Sequence, residues 1–244
     1  MSASASRWEL ARHRLVDDAV AVALLWTGYV VFVTLVTVTV SAFRPIEISG
    51  WEVASQLPRW FVGGIGVYLT AVYLPLYVAH GYTRREFMAQ VPAASAVTVA
   101  LAALLMSVGY GLERMVYAVA DWSQVLQQSH LYTAPDQYGL ILLEFGLLFA
   151  VWSSAGALAG AGFYRGPVPG LAVAPVALVM VSLAEAVLNP GFFEVLTAIA
   201  AGLGLEPAGV STTAAIAVCA ATLAVGGALT WVLVRDQPIR SQRA

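Results

Sequence analysis

The 244-residue sequence has no lysine, one cysteine and three histidines, and only 11% of its residues are charged. Each shortage excludes something. A chain without lysine cannot carry the phosphate loop G-x-x-x-x-G-K-[ST], whose lysine reaches the terminal phosphates of a bound nucleotide. Nucleotide hydrolysis of that kind therefore lies outside this chain. Cys219 stands alone in an apolar block, so neither an intrachain disulfide nor a multi-cysteine zinc site is possible. His13, His80 and His130 are scattered without H-E-x-x-H or paired-ligand spacing and read as surface or loop histidines. There is no G-x-S-x-G elbow, and Ser153 and Ser154 have no nearby base, so they read as packing or interhelical hydrogen-bonding residues. No catalytic or metal-ligating constellation emerges, and the chain is not expected to be an enzyme by itself.

The shortage of charge says what is present instead. Soluble domains carry about a quarter charged residues, whereas this chain is 60% hydrophobic with a mean hydropathy of +0.80. Its apolar residues fall into blocks of about 20, enough to cross a hydrocarbon core of roughly 30 Å. Six spans are predicted: Ala19–Ala42, Trp60–Ala79, Val91–Gly109, Tyr138–Phe163, Val168–Leu188 and Thr212–Val234. The first exceeds a signal-peptide core of roughly 7–15 residues and reads as a retained helix. The chain is thus expected to be an all-α integral membrane protein. Residues 1–18 form a polar amphipathic lead, 19–234 a six-helix bundle and 235–244 a tail.

Arginine placement sets the orientation, because basic residues in short loops stay on the cytoplasmic side. With both termini inside, nine arginines are cytoplasmic, and Arg44, Arg59 and Arg114 are outside. The external connections, Phe43–Arg59, Gly111–Gln137 and Asn189–Ser211, then hold most of the non-spanning chain. Met115, Val119, Trp122 and Leu126 recur at helical spacing, which predicts a surface helix or a continuation of the third span. Phe192–Leu205 is apolar but too short to cross and is expected to be a re-entrant or extracellular helix between spans five and six.

Between spans two and three lies His80-Gly81-Tyr82-Thr83-Arg84-Arg85-Glu86-Phe87-Met88. Gly81 ends one helix, and Thr83 with Glu86 makes a capping box for a new short one. Arg84 and Arg85 on its first turn oppose the helix dipole and are suited to an acidic partner or to lipid phosphates. One reading makes them ordinary positive-inside anchors. In the other, the whole stretch is a docking helix, with Phe87 filling a pocket on a partner.

The stretch G-Y-T-R-R-E-F resembles the turn G-x-[ST]-R-[RK]-x-[FY] of permease subunits in ABC-2-type exporters. The resemblance extends to the six-span plan, the polar lead and the apolar piece before span six. It implies a bacterial inner-membrane permease whose Gly81, Thr83, Arg84, Arg85, Glu86 and Phe87 couple to a separate ATPase subunit. ATP and Mg would sit on that ATPase and no cofactor on this chain. A second permease copy or a paralogue and membrane lipid would complete the assembly, with no nucleic acid.

Glu144 and Glu185 are the acidic residues well inside apolar blocks, and a carboxylate in hydrocarbon must be protonated, paired or hydrated. They line a candidate substrate path near the outer mouth, or they are structural carboxyls bonded to Ser182, Tyr138, Asn189 or Arg114. Gly156 and Gly160 form a G-x-x-x-G, which with Gly226 and Gly227 suits close helix packing, internal or at a dimer face. Two other classes remain: a non-transporting assembly factor or sensor, and a secondary transporter. The last is disfavoured because no pair of broken or charged spans repeats between the halves.

Overall fold

The computed structural model describes residues 3–128, 130–188, 202 and 211–236, with side chains from Ala19 onward. Six of its helical segments are long and apolar enough to cross a membrane, so the chain is a multi-pass membrane protein. The expected piece Phe192–Leu205 lies, Gly202 apart, outside the described residues.

Helix α1 (Ala3–Ser41) takes up the lead and the first span without a break. A short α2 (Gly50–Val53) follows, started by Ser49, whose side chain accepts the Glu52 N–H. Pro58 has no N–H to return to the Ala54 carbonyl, and the Leu57 N–H takes that carbonyl instead at 3.1 Å. The chain therefore steps once before α3 (Gln56–Tyr68) begins. A π-helical turn at Leu69–Tyr73 precedes α4 (Leu74–Ala79), where Pro75 again removes a donor and the preceding turn widens. The second membrane segment thus starts at Gly50, ten residues before the predicted Trp60, and includes Glu52 and Arg59.

Helix α5 (Arg84–Ala120) has 37 residues. It absorbs both the expected short cytoplasmic helix and the continuation of span three. The predicted surface helix stops at Ala120, because Asp121 takes a left-handed C-cap with φ 55°. Trp122 and Leu126 lie beyond it in a strap, residues 122–128 and 130–137, that returns across this end of the bundle. Helix α6 (Tyr138–Arg165) is joined by Gly166 alone to α7 (Pro167–Leu188), and α8 (Thr212–Arg235) closes the described bundle. Gly166, at φ 153°, makes this one-residue connection possible.

The centre is α6, which packs against α3, α5, α7 and α8 and buries Ile141, Phe145, Leu148, Phe149 and Leu158. Lipid is as apolar as leucine, so close fit rather than expulsion of water holds these helices together. A Cβ on Gly66 would run into the Ser153 carbonyl, and one on Gly156 into the Gly63 carbonyl. Thr70 Oγ1 donates to the Ala157 carbonyl at 2.7 Å beside this crossing. The G-x-x-x-G of α6 is therefore spent on α3 inside one chain. Gly156→Ala is expected to destabilise the bundle by about 1–3 kcal/mol through overpacking, seen as a lower melting midpoint in detergent. Gly227→Ala, where a Cβ meets nothing within 4 Å, is the neutral control.

Candidate functional site

Two clusters of polar residues lie at opposite ends of the bundle. At one end is the arginine turn. Gly81 has φ 88°, and Thr83 caps α5 through a complete capping box: Glu86 N–H to Thr83 Oγ1 at 3.2 Å, and Thr83 N–H to Glu86 Oε2 at 2.9 Å. Arg85 is exposed and Arg84 half-buried. Phe87 departs from expectation. It is 3% exposed and packs with Leu74, Tyr77, Ala161 and Val234, so its ring already fills a pocket of this chain and is not available to a partner's.

At the other end, ionisable groups from six parts of the chain meet in the protein interior. Glu52 belongs to α2, Arg59 to α3, Glu113 to α5, His130 to the strap, Glu144 to α6 and Glu185 to α7. The side chains of Arg59, His130, Glu144 and Glu185 are all 0% exposed. Arg59 Nη1 meets Glu185 Oε1 at 3.2 Å, and its Nη2 donates to Ser55 Oγ at 3.1 Å. His130 lies between two carboxylates, with Nδ1 2.7 Å from Glu144 Oε1 and Nε2 3.1 Å from Glu52 Oε1.

Backbone donors complete the site. Glu144 accepts the Leu131 N–H at 2.7 Å, and Glu52 accepts the Gln127 and Gln128 N–H groups at 2.9 and 2.7 Å. Glu113 accepts from Ser49 Oγ, Trp51 N and Gln124 Nε2, each within 2.8 Å. Tyr132 stacks on the imidazole with centroids 4.3 Å apart and donates to the Tyr110 hydroxyl at 2.9 Å.

Four carboxylates thus share the interior with one guanidinium and one imidazole. Burial works against a charged imidazole, but hydrogen bonds to Glu144 and Glu52, reinforced by their charges, outweigh it and hold the His130 pKa above its ordinary value. Burial, aided by Glu144, pushes the Tyr132 phenol well up, so it stays a neutral donor. No group of three or more histidine, cysteine or acidic side chains among the described residues is arranged to hold a metal ion.

Glu144 and Glu185 are accordingly paired and sealed, with partners other than those expected. Ser182 donates to the Leu178 carbonyl, Arg114 pairs with Asp136 at the surface, and Asn189 lies outside the described residues. The partners of Glu144 and Glu185 are His130, which is in a loop as predicted but with its side chain buried, and Arg59, predicted as an external loop residue. A signal for the second was present: Glu52, Ser55 and Arg59 follow at i, i+3 and i+7, one face of a helix. Tyr110, Glu113 and Tyr117 repeat it on α5.

Between α5, α6 and α8 a lateral apolar groove of about 1160 Å³ runs from Met88, near the arginine turn, to Gly139 below the strap. Comparison with protein-family models, curated proteins and solved structures gives no match to the chain.

Proposed function

We propose that the chain is the membrane-spanning subunit of an ABC-2-type exporter in a bacterial inner membrane, driven by a separate ATPase that docks on residues 81–88. The observation that carries this reading is the unbroken course of α5 from the arginine turn to the ionic cluster. Its 37 residues correspond to a rod of about 55 Å at 1.5 Å per residue. The capping box fixes one end and Glu113 engages the cluster near the other. Force applied at Arg84 and Arg85 is transmitted along the whole rod.

Phe87 fastens the turn to the bundle from inside, and the exposed Gly81, Thr83 and Arg85 face outward for the partner. Arg84, Arg85, Arg165 and Arg235 all lie at this end, as the positive-inside rule asks of a cytoplasmic face. With Arg59 buried, Arg44 and Arg114 are the arginines left on the opposite surface. The lateral groove, rather than Glu144 and Glu185, is the apolar path in this reading, and a second permease copy or a paralogue would close its open side. ATP and Mg would belong to the ATPase.

The test is affinity purification from native membranes. A co-purifying subunit with a phosphate loop is expected with the native sequence and is expected to fall at least tenfold in an Arg84→Glu, Arg85→Glu variant of unchanged melting midpoint. Full retention of the ATPase and of ATP-dependent export in that variant would overturn the docking role. A second reading, a non-transporting sensor, draws on the sealed cluster, and purification without any ATPase would favour it.

A further inference from the structure

The ion pairs at the strap end include one arrangement that a neutral histidine cannot satisfy. Both ring nitrogens of His130 lie within hydrogen-bond distance of a carboxylate oxygen, Glu144 Oε1 at 2.7 Å and Glu52 Oε1 at 3.1 Å. Neutral imidazole has one N–H; the other nitrogen would point a lone pair at an acceptor that has only lone pairs to offer. One further proton must reside among these three groups, on the ring or on one of the acids. The same two carboxylates hold the strap by its backbone, through the N–H groups of Gln127, Gln128 and Leu131.

We propose that Glu52, His130 and Glu144 form a proton-binding site that fastens the strap over this end of the bundle, and that loss of the proton releases it. Without the proton, two buried carboxylates face a neutral ring with no charge between them. The nearest relief is water, and water reaches them when the strap lifts. Its other ties do not involve this proton: Gln124 reaches Glu113, Ser49 N–H reaches the Val125 carbonyl, Ser123 N–H reaches the Ile46 carbonyl, Tyr132 is buried in the core against Tyr110, and Arg114 holds Asp136 at the surface.

The surrounding charges do not supply a substitute. Arg59 on α3 is engaged by Glu185 of α7 and by Ser55, and Glu113 on α5 adds a further negative charge. Tyr132 stacks on the ring and hydrogen-bonds to the Tyr110 hydroxyl behind it. The contacts outweigh burial and raise the affinity of His130 for its proton, so the fastened form extends above the pH at which a free histidine would lose it. Release falls above the ordinary histidine value of about 6.5. The inference does not depend on the exporter reading, since it concerns only groups within this chain.

Spin-label distances test it in the full chain in lipid nanodiscs. Cys219→Ala removes the native thiol, and labels are placed at Gln127→Cys on the strap and Val168→Cys at the far end of α7, both exposed positions. A single narrow distance distribution is expected at pH 5.5 and a second, broader population at pH 9.5, with a midpoint above about 6.5. His130→Gln is expected to abolish the pH response. Identical distributions at both pH values, or the same response in His130→Gln, would overturn the proposal. Should that variant fail to fold, ¹⁵N imidazole spectra of a His13→Gln, His80→Gln protein read His130 alone. Ring nitrogen shifts that change between pH 5.5 and pH 9.5 support the proposal, and shifts identical at the two pH values sink it.

Discussion

Arg59→Leu is expected to remove most of the folded protein recovered in mild detergent, at a cost of about 3–5 kcal/mol, because it leaves the Glu185 carboxylate buried without its cation. The size of the effect follows from burial: both side chains are 0% exposed, so neither water nor salt screens the stranded charge. A shift of roughly 10 °C in melting midpoint corresponds to that cost. The pair is held by a single contact of 3.2 Å rather than a two-pronged one, which bears on the companion variant. Arg59→Leu, Glu185→Leu removes both charges and restores apolar contact with α6, so it is expected to recover most of the loss. A double variant as unstable as the single one would mean that Arg59 acts through Ser55 or through the fields of Glu52 and Glu144. The cycle of native, single and double variants separates the pair from its surroundings.

Much of this architecture was legible in the sequence because a bilayer constrains helices strongly. Five spans begin or end within a residue or two of their predicted limits wherever loop chemistry is abrupt, as at Tyr138, Pro167 and Thr212. The errors fall where an apolar helix carries ionisable groups past the membrane edge. The sequence starts span two at Trp60, because Glu52, Gln56 and Arg59 suit a loop, whereas Ser49 caps α2 and the membrane segment begins ten residues earlier at Gly50. Span three was stopped at Gly109 because Glu113 and Arg114 follow, yet Glu113 turns inward and Arg114 outward on the same helix. Pairing over long sequence separations, 126 residues for Arg59 and Glu185 and 78 for Glu52 and His130, leaves no local trace. The intramembrane acids could be found from composition; their partners required the fold.

The arginine turn was legible for a different reason. Its capping box is a short-range pattern, set by Thr83 and Glu86 three residues apart, and the structure forms it as the sequence predicts. The fate of Phe87 is not legible, because its pocket is completed by Ala161 and Val234, distant in sequence. A phenylalanine beside two arginines suits a partner's pocket or its own chain's equally well, and only tertiary packing decides between them. The same ring that was expected to reach outward instead couples the turn to α4, α6 and α8.

Glu144→Gln is expected to change the pH dependence of stability more than stability at any one pH. In the native protein His130 holds its proton more tightly than the unfolded chain does. Between about pH 6.5 and the folded value, the native state therefore binds a proton that the unfolded state has released, and stability falls as pH rises by up to about 1.4 kcal/mol per pH unit. Below about 6.5 both states are protonated and the contribution is fully present; above the folded value it is gone. Glu144 supplies the shortest hydrogen bond to the imidazole and holds the strap through the Leu131 N–H. Its amide isostere keeps the shape, loses the charge, and brings the histidine back toward its ordinary value. Glu144→Gln should start lower than the native protein at pH 6 and lose little more by pH 9, so that the two melting curves converge as pH rises. Parallel curves would place the titration on another group, and a native curve flat from pH 6 to 9 would remove His130 from the stability of the fold.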